Sequence, residues 1–366
     1  MNIGVDARSL IEKKVGFGYF LENMLGEILE LDRENTYFLF SDREIVSDVL
    51  KYKNVKTIIY KYDFFFKKSF YYYYRLPKFI DSMNIQLDVF WGTIHLMPKG
   101  LRSSVKKVLT IHDFTHLKFP KSTTKYNLLI SKLFIGPSIR NSDEIICISD
   151  NTKKEMLEFY PKECTGKLIT TIYEGGNRII ENIDYDKISG RVKKISDEPF
   201  VLFVGTIEPR KNIRVLLDIA PKLKGKMKVV ICGKIGWESK EVVEKLRTTD
   251  NLEYLDYISN DEKMYLMKKT FCQIQPSLYE GFGLPVVESM QEGTIVIVAN
   301  NSSLAELIEI DKLKFETSNP DDLVNKIEAL LYDETVYCLA KQYCNRRALD
   351  FDWKKAAKKY LEIFAC

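Results

Sequence analysis

The sequence has few of the residues and patterns that mark metal-binding, disulfide-rich or membrane-spanning proteins. Only three His occur, His95, His112 and His116, and their spacing does not match a His-based metal site. Seven Cys are scattered without a C-x-x-C pair. With no N-terminal secretory signal, they are expected to be the reduced thiols of a cytoplasmic protein. No apolar run approaches the roughly 18–20 residues that span a bilayer, so any membrane contact is expected to be peripheral.

No single sign of charge dominates, and a complete dinucleotide fingerprint is absent. The 366 residues contain 55 Lys and Arg against 51 Asp and Glu, and the net charge of +4 gives no reason to expect nucleic-acid binding. The stretch "GFGYFL", which begins at Gly16, lacks the third glycine of G-x-G-x-x-G, which argues against a nicotinamide dehydrogenase. With 45% hydrophobic residues, the chain is long enough for two globular domains.

Short apolar runs and helix-like stretches alternate along the chain in two series. The first runs from "IGV" at residues 3–5 to "EIICIS" at 144–149, and the second starts with "FVLFV" at 200–204. Such alternation predicts parallel α/β sheets, whose functional residues lie at the carboxyl ends of the strands. We therefore predict two doubly wound Rossmann-like domains, residues 1–176 and 199–346, joined by a polar linker over 177–198.

The stretch "VLFVGTIEPRKN" places two cations just after a predicted strand. Gly205 allows a tight turn there, and Arg210 and Lys211 follow in the turn, before a helix that starts near Asn212. Arg binds phosphate oxygens in pairs and Lys adds a point charge, so the two residues suit a diphosphate. A solvated basic turn explains the same residues equally well.

A second motif, "PSLYEGFGLPVVESM", places Glu280 and Glu288 eight positions apart around a glycine turn. Gly281 and Gly283 free backbone N–H groups to approach a ligand, and a helix that begins near Pro285 adds a positive N-terminal end. Carboxylates at such a turn can accept hydrogen bonds from sugar hydroxyls. For Glu288, expected in the first helical turn, favourable interaction with the helix dipole is the competing explanation.

Taken together, the two motifs resemble the retaining glycosyltransferases of family 4, and Glu280 and Glu288 match that family's E-x7-E pair. The likeness extends to "GVDARSL", "TIHDFTHLKFP", "IICISDNTKKE" and "FDWKKAAKKYLEIF". Within the family it is greatest to the bacterial O-antigen and polysaccharide mannosyltransferases and rhamnosyltransferases. The resemblance implies the α/β GT-B fold, with two Rossmann-like domains facing a cleft. It also implies a C-terminal helix, over about 347–366, that crosses back to the first domain.

The resemblance implies roles for individual residues. Arg210 and Lys211 would bind the donor diphosphate, Glu280 the transferred sugar and Glu288 the nucleotide ribose, and His112 would lie close to that sugar. The predicted catalytic residues are therefore His112, Glu280, Arg210 and Lys211. The other predicted donor-binding positions lie in turns and glycine loops: Gly16, Gly18, Gly205, Phe282, Gly283 and Leu284. The stretch "YEGGNR" at 173–178 differs from the family's usual Asn-Gly-Val-Asp-like segment, so no role is carried over to it.

The function implied is hexose transfer to a saccharide acceptor in bacterial surface polysaccharide assembly, with mannose from GDP-mannose favoured. No cofactor is expected, because the nucleotide sugar is a substrate, and no metal is expected, because Arg210, Lys211 and a helix N-terminus would neutralise the diphosphate. Rhamnosyl or other hexosyl transfer from a dTDP- or UDP-sugar is one alternative, and a non-catalytic GT-B partner subunit is another. The acceptor is expected to be an oligosaccharide or a lipid-linked saccharide, met in the cytoplasm or at the inner face of the plasma membrane, and no nucleic-acid partner is expected.

Residues 60–79, "YKYDFFFKKSFYYYYRLPKF", combine many aromatic residues with cations and a single acid. This composition suits an anionic membrane surface, contacted through Lys67, Lys68 and Arg75. It equally suits a packed helix whose lysines reach solvent. His112 follows a predicted strand end, which favours a role at the site. For His95, acceptor binding and simple packing both stay open.

Overall fold

The protein, seen in a computed structural model that describes residues 1–12, 16–61, 68–176, 183–236 and 238–366, divides into two compact units. Unit 1 comprises Met1–Gly175 and Asp352–Cys366, and unit 2 comprises Gly176–Phe351. The predicted membrane residue Lys67 and residues 177–182 of the predicted linker lie outside the described residues. Within those described ranges, no helix combines the length and the apolar character needed to cross a bilayer.

In the described residues, unit 1 has a sheet of seven parallel strands in the order β3-β2-β1-β4-β5-β6-β7. The central strands are buried along most of their length, which explains why they appear in the sequence as unbroken apolar runs. The strands are β1 (Asn2–Asp6), β2 (Thr36–Ser41), β3 (Val55–Ile59), β4 (Val89–Gly92), β5 (Lys106–Ile111), β6 (Glu144–Cys147) and β7 (Leu168–Thr171). The chain changes its direction of travel across the sheet between β1 and β4, as in a dinucleotide-binding half.

Helices connect the strands of unit 1, and their ends follow local capping rules. The hydroxyls of Thr124 and Ser149 each accept a hydrogen bond from a backbone N–H three residues later, which fixes the start of two helices. The helices are α1 (Gly16–Leu31), α2 (Lys68–Tyr74), α3 (Leu76–Ser82), α4 (Thr115–Lys118), α5 (Lys125–Asn141) and α6 (Asp150–Phe159). The predicted glycine loop is therefore helical at Gly16 and Gly18, which form the first turn of α1. The buried stripe of that helix begins at Gly18.

The last helix of the chain, α15 (Trp353–Ala365), belongs to unit 1 and packs along α1. Its buried residues recur at helical spacing and place Trp353 against Phe20, with ring centroids 5.9 Å apart. Tyr360 lies 5.0 Å from Trp91, and both side chains bond the hydroxyl of Thr110, at 3.0 and 2.9 Å. The helix begins at Trp353 rather than near 347, because residues up to Ala348 form a separate helix of unit 2.

Unit 2 has six parallel strands among the residues described, in the order β10-β9-β8-β11-β12-β13. The strands are β8 (Phe200–Val204), β9 (Lys228–Cys232), β10 (Leu252–Leu255), β11 (Cys272–Gln275), β12 (Val296–Ala299) and β13 (Lys314–Phe315). The helices are α7 (Gly190–Ile195), α8 (Ile213–Ile219), α9 (Lys240–Thr248), α10 (Asn260–Lys269), α11 (Leu284–Gln291), α12 (Ser302–Leu307), α13 (Pro320–Tyr332) and α14 (Glu334–Ala348). The central neighbours β8 and β11 mark the point where the strand order reverses.

The segment predicted as a polar linker packs into unit 2 over its described part. Ile183, Ile188, Val192 and Ile195 are buried in one cluster with β8, β9 and α10. Their spacing within a lysine-rich sequence is irregular, so the sequence pattern alone suggested a solvated segment. The structure instead gives unit 2 a short helix, α7, before its first strand.

Candidate functional site

The carboxyl ends of β8 and β11 bring the two motif loops of unit 2 together. The loop after β8 carries Arg210 and the loop after β11 carries Leu278, whose backbone N–H donates to the Arg210 carbonyl at 2.8 Å. Asn212 reinforces this link, since its side chain donates to the carbonyls of Pro276 and Thr317 at 3.1 and 2.9 Å. Asn212 has a φ of 53°, a left-handed conformation that Asn tolerates well. The crevice expected at the strand-order reversal is thus framed by both motifs.

The position in this region that cannot carry a side chain is Gly233, after β9, and not Gly205, which was predicted to allow the tight turn. Gly233 has a φ of 145°, and a Cβ atom there would lie 1.9 Å from the Gly205 carbonyl oxygen. Gly205 itself continues the strand pairing, since its N–H donates to the Cys232 carbonyl at 2.9 Å. A side chain at Gly233 would therefore push the loop after β8 out of place.

Glu280 lies at the centre of a compact charged cluster. Its carboxylate accepts a hydrogen bond from Lys211 at 2.5 Å and from Arg210 at 2.8 Å. The other terminal nitrogen of Arg210 donates to Glu208 at 2.7 Å. The three side chains of Glu280, Arg210 and Lys211 keep only 9%, 17% and 12% of their surface exposed. The two predicted cations and the first motif carboxylate are therefore one ion-paired unit and not a solvated basic turn.

Burial and charge pairing act in opposite directions within this cluster. Burial alone would raise the pKa of Glu280, but the Lys211 and Arg210 cations hold it well below its ordinary value. Burial lowers the pKa of Lys211, and the Glu280 carboxylate opposes that shift. Glu280 is therefore ionised at neutral pH.

Two buried polar residues, Gln275 and Ser277, complete the shell of Glu280, and neither was among the predicted site residues. The Ser277 hydroxyl donates to Glu280 Oε1 at 2.6 Å, and the Gln275 side-chain amide donates to the same oxygen at 3.0 Å. Both residues are fully buried. Gln275 and Ser277 are two residues apart along β11 and its extension, so their side chains lie on the same face of the strand. This spacing is the sequence pattern that could have identified them.

The glycine turn is held by side chains of α12. The Ser303 hydroxyl donates to the carbonyls of Glu280 and Phe282 at 2.9 and 2.6 Å, and the Glu280 N–H donates to the Ser302 hydroxyl at 3.0 Å. Gly283 has a φ of 119° and sits immediately before Leu284, the first residue of α11. The side chain of Phe282 is buried against Phe351, with ring centroids 5.9 Å apart. Any ligand contact of this turn would therefore be made by its backbone.

Glu288 lies in the body of α11 and not in its first turn, which corrects the position expected from the sequence. It is the fifth residue of the helix, and α11 has no acidic residue in its first turn. Glu288 is buried, and both its carboxylate oxygens accept from Lys263 of α10 at 3.0 Å. The charge of Glu288 is therefore balanced by an ion pair with Lys263, which no sequence motif indicated, and not by interaction with the helix dipole.

Unit 1 assembles a second group of predicted residues near the carboxyl ends of β4 and β5. His112 is buried, and its Nε2 donates to the Thr93 carbonyl at 2.8 Å. Its Nδ1 lies 3.6 Å from a carboxylate oxygen of buried Glu174. Phe17, in the first turn of α1, contacts the ring of His112 with centroids 4.7 Å apart. The divergent "YEGGNR" segment therefore supplies a carboxylate to the histidine, which the sequence did not reveal.

His95 joins this group in an unusual environment. It has a φ of 55° and its ring lies 5.5 Å from that of His112. Burial and the neighbouring His112 lower the pKa of His95 to about 3, so its imidazole is neutral at physiological pH. Its Nδ1 is buried without a hydrogen-bond partner in the part of the chain that the structure describes. A strained backbone and an unpartnered polar atom are features that accumulate at functional sites.

The predicted membrane cations have different surroundings. Lys68 forms an ion pair with Asp42 at 2.5 Å and keeps 24% of its side chain exposed. Arg75 is exposed. Tyr60, Tyr72 and Tyr73 are buried in the core of unit 1, so packing accounts for these three rings of residues 60–79.

Chemically, the unit 2 site combines two cations and a glycine turn with carboxylates that can accept from hydroxyl groups. Such a set suits a sugar joined to a phosphate-bearing group. No grouping of three or more His, Cys, Asp or Glu side chains fit to hold a metal ion occurs in the described ranges.

Comparison with known proteins points to the same chemistry. Residues 184–350 match the family described as glycosyl transferases group 1. The chain is 24% identical to O-antigen chain mannosyltransferase B of Escherichia coli, over 75% of this chain and 74% of that protein. It is 26% identical to the serotype-specific mannosyltransferase WbdA of the same species, over 61% of this chain but only 29% of that protein.

A solved structure agrees in fold over the whole chain. The Anabaena protein HepE, solved in complex with UDP-glucose, superposes with a TM-score of 0.68 at 15% identity. The superposition covers 100% of this chain and 99% of HepE. With the two Rossmann-like sheets and the E-x7-E loop in place, these matches show that the chain is a glycosyltransferase of GT-B fold, whose residues 184–350 form a glycosyl transferases group 1 domain.

Proposed function

We propose that this chain transfers a hexose from a nucleotide sugar to a saccharide acceptor during the assembly of a bacterial surface polysaccharide. The observation that carries the proposal is the buried cluster in which Glu280 binds both Arg210 and Lys211 at 2.5–2.8 Å. It lies at the strand-order reversal of the unit 2 sheet, where α/β folds bind nucleotides.

In this proposal Arg210 and Lys211 bind the donor diphosphate and stabilise its charge as it leaves. In a site with little water, a cation that is already in position stabilises the negative charge that develops in the transition state. The reaction is accelerated because the protein does not have to rearrange to provide this charge. Without donor, Glu280 neutralises both cations. With donor bound, its carboxylate is available to accept from hydroxyl groups of the transferred sugar, while Glu288 accepts from the ribose. In unit 1 we assign His112 to the transferred sugar.

Mannose from GDP-mannose is the donor we favour, because both curated relatives described above are named mannosyltransferases. A dTDP- or UDP-linked hexose is the alternative, and HepE, solved with UDP-glucose, has the same fold. We further propose that the acceptor is an oligosaccharide or a lipid-linked saccharide. The expected chemistry retains the anomeric configuration and proceeds without a metal ion.

The test is a donor panel with purified protein. GDP-mannose, UDP-glucose and dTDP-rhamnose are each incubated with saccharide acceptors, with and without a lipid carrier, and release of nucleoside diphosphate is measured. Lys211→Ala and Arg210→Ala should each lower turnover strongly. Lys228→Ala, which removes an exposed lysine of the same unit paired with Glu198, should not. Nucleoside diphosphate binding without turnover on any donor and acceptor would favour a non-catalytic subunit instead.

Two further readouts test the finer parts of the proposal. Activity should persist in EDTA, and a requirement for added magnesium or manganese would contradict assigning charge neutralisation to the two cations alone. The product of an α-linked donor should be α-linked by NMR, and a β-linked product would contradict retention.

A further inference from the structure

Two segments of unit 1 meet at the point where the strand order of its sheet reverses. β1 and β4 are neighbours, and the chain continues from β1 to β2 on one side and from β4 to β5 on the other. Open α/β sheets bind ligands outside the carboxyl ends of the strands at such a point. His95 lies in the loop after β4 and Phe17 lies in the first turn of α1, and their ring centroids are 5.4 Å apart. The two side chains therefore mark the position at which the unit 1 sheet is expected to bind a ligand.

Hydrogen bonds fix the backbone of the loop after β4 at this position. The Thr93 hydroxyl donates to the Asp6 carbonyl of β1 at 2.6 Å. The His95 N–H donates to the Thr110 carbonyl of β5 at 3.2 Å. Held in this way, His95 has a φ of 55°, a left-handed conformation that is strained for a residue with a Cβ atom. Strain of this kind persists only where the surroundings enforce it, and it accumulates at ligand-binding positions.

The imidazole of His95 makes no hydrogen bond through either ring nitrogen to any residue that the structure describes. Its Nδ1 is buried, while the residue as a whole is partly exposed. The neighbouring His112 differs, because its Nε2 donates to the Thr93 carbonyl and its Nδ1 faces Glu174. Buried polar groups are nearly always paired, so a histidine that only packed would be expected to bond the protein through a ring nitrogen. His95 is therefore the histidine of this pair that is available to a ligand.

The groups around His95 favour an uncharged ligand. Burial and His112 lower the pKa of His95 to about 3, so its imidazole is neutral and can donate from one nitrogen and accept at the other. Its titratable neighbours are His112, Asp113 and His116, with no Lys or Arg among them in the described ranges. Asp113 is partly exposed and accepts from the Thr115 N–H at 2.9 Å through one carboxylate oxygen. A carboxylate among neutral groups repels a diphosphate, whereas hydroxyl groups both donate and accept and therefore match this set.

We propose that His95 and Phe17 form a binding site for one sugar ring of the saccharide acceptor. His95 hydrogen-bonds hydroxyl groups of the sugar through its imidazole, and the partly exposed Phe17 ring packs against the apolar C–H face. This role rests on the proposed function and deepens it, because it assigns the acceptor to residues of unit 1. The competing explanation is that His95 only packs beside His112, whose ring centroid is 5.5 Å away.

Saccharide binding is measured first, because it needs neither a donor nor turnover. The full chain with isotope-labelled histidine is titrated with oligosaccharides of mannose, rhamnose, galactose and N-acetylglucosamine, and the ring-nitrogen resonances are followed by NMR. The His95 resonances should shift with at least one saccharide, whereas those of His116 should stay in place.

Two variants test the two side chains of the proposed site. His95→Asn keeps a residue type that tolerates the left-handed backbone and removes the imidazole. It should weaken binding of that saccharide about tenfold, as expected for the loss of one hydrogen bond. Phe17→Leu keeps an apolar side chain and removes the aromatic face, and it should weaken binding about fivefold.

His116→Asn is the matched control, because it makes the same change in the same unit. His116 lies in α4, where its ring contacts Phe114 with centroids 6.1 Å apart. Its Nε2 is also buried without a partner in the described residues, but α4 follows β5 and not the strand-order reversal. This variant should leave saccharide binding unchanged, and thermal unfolding establishes that each variant is folded.

Turnover gives a second readout with the donor that the donor panel identifies. His95→Asn should raise the KM for the acceptor about tenfold, with a smaller fall in kcat. Its calorimetric affinity for GDP should match that of wild type. A residue that only stabilised unit 1 would not separate KM from kcat in this way.

Three results would overturn the assignment of His95. Its resonances do not respond to any saccharide of the panel, His116→Asn weakens saccharide binding as much as His95→Asn, or His95→Asn leaves the acceptor KM of an active enzyme unchanged. A wild type that binds a saccharide through His95 but turns over no donor would retain this site and refute sugar transfer instead, so the two failures are distinguishable.

Discussion

Replacing Glu280 by Gln should make the ligand-free protein less stable and at the same time strengthen its binding of a nucleoside diphosphate. The Gln side chain has nearly the same shape but no charge, so Arg210 and Lys211 are left close together without their shared carboxylate. A glutamate that only packed against the turn would not link these two effects.

The expected loss of stability follows from the burial of the cluster. Removing one partner of a buried ion pair costs about 3–5 kcal/mol, and the residual exposure of 9–17% favours the lower end of that range. A loss of about 3 kcal/mol corresponds to a fall in Tm of roughly 6–12 °C for a unit of this size. The matched control is Glu198→Gln, which breaks an exposed pair with Lys228 at 3.0 Å and should cost less than about 1 kcal/mol.

The binding half of the prediction is measured by calorimetry with GDP and UDP. Without the Glu280 charge, a bound diphosphate no longer repels a neighbouring carboxylate, and affinity should rise on the order of tenfold. Saturating GDP should then recover much of the lost Tm, because a ligand that binds only the folded state stabilises it. Sugar transfer should nevertheless fall strongly. Weaker GDP binding together with unchanged Tm would refute the assignment of Glu280 as the counter-ion of both cations.

The same substitution predicts a pH dependence whose sign is fixed by the lowered pKa of Glu280. A carboxyl group with a depressed folded-state pKa stabilises the protein above its ordinary pKa of 4.5 and loses that contribution as the pH falls. The difference in free energy of unfolding between wild type and Glu280→Gln should therefore be largest at pH 6–8 and should decrease below about pH 4.5. Urea unfolding of both proteins across this range measures the gap, and a gap that widens in acid would contradict the argument.

Three other substitutions give sharp outcomes. Lys263→Met should weaken nucleoside diphosphate binding by changing the position and charge balance of Glu288, and equal calorimetric affinities for GDP would contradict this. His95→Asn keeps a residue type that tolerates the left-handed backbone, and it should reduce the fall in Tm between pH 7 and pH 5. The reason is that a histidine with a pKa of about 3 takes up its proton in this range only on unfolding. An unchanged dependence of Tm on pH would argue against a buried neutral imidazole. Thr110→Val removes the hydroxyl that hydrogen-bonds both Trp91 and Tyr360 and should cost on the order of 2 kcal/mol in urea unfolding. Unaltered stability would show that these two buried side chains find other partners.

The sequence predicted much of the fold, and it predicted that the charged residues of the candidate site in unit 2 follow strand ends, for a physical reason. Strands buried in a parallel sheet are continuous apolar runs, and loops that follow them concentrate charged and glycine residues, so both leave local signals. Glu280, Arg210 and Lys211 stood out in this way, and the structure brings all three within hydrogen-bond distance.

Features set by distant contacts had no such signal. Lys263 has no special pattern in the sequence, and its pairing with Glu288 arises only because α10 packs beside α11. Glu174 likewise shows no signal in the sequence, and it becomes a candidate only because its segment lies against His112. The position that requires glycine is Gly233 and not the predicted Gly205, because the requirement arises where two loops approach each other and not within one turn. Gly16 and Gly18 were predicted as a loop because glycine lowers helix propensity, whereas the structure places both in the first turn of α1.

The position of α15 has a consequence for the order in which the protein is made. Unit 2 is one continuous stretch, Gly176–Phe351, whereas unit 1 needs Asp352–Cys366 to cover Phe20 and Trp91. The amino-terminal unit is therefore started first during translation and completed last, after all of unit 2 has been synthesised. A chain stalled after residue 351 would carry a unit 1 in which Phe20 and Trp91 lack the cover of Trp353 and Tyr360.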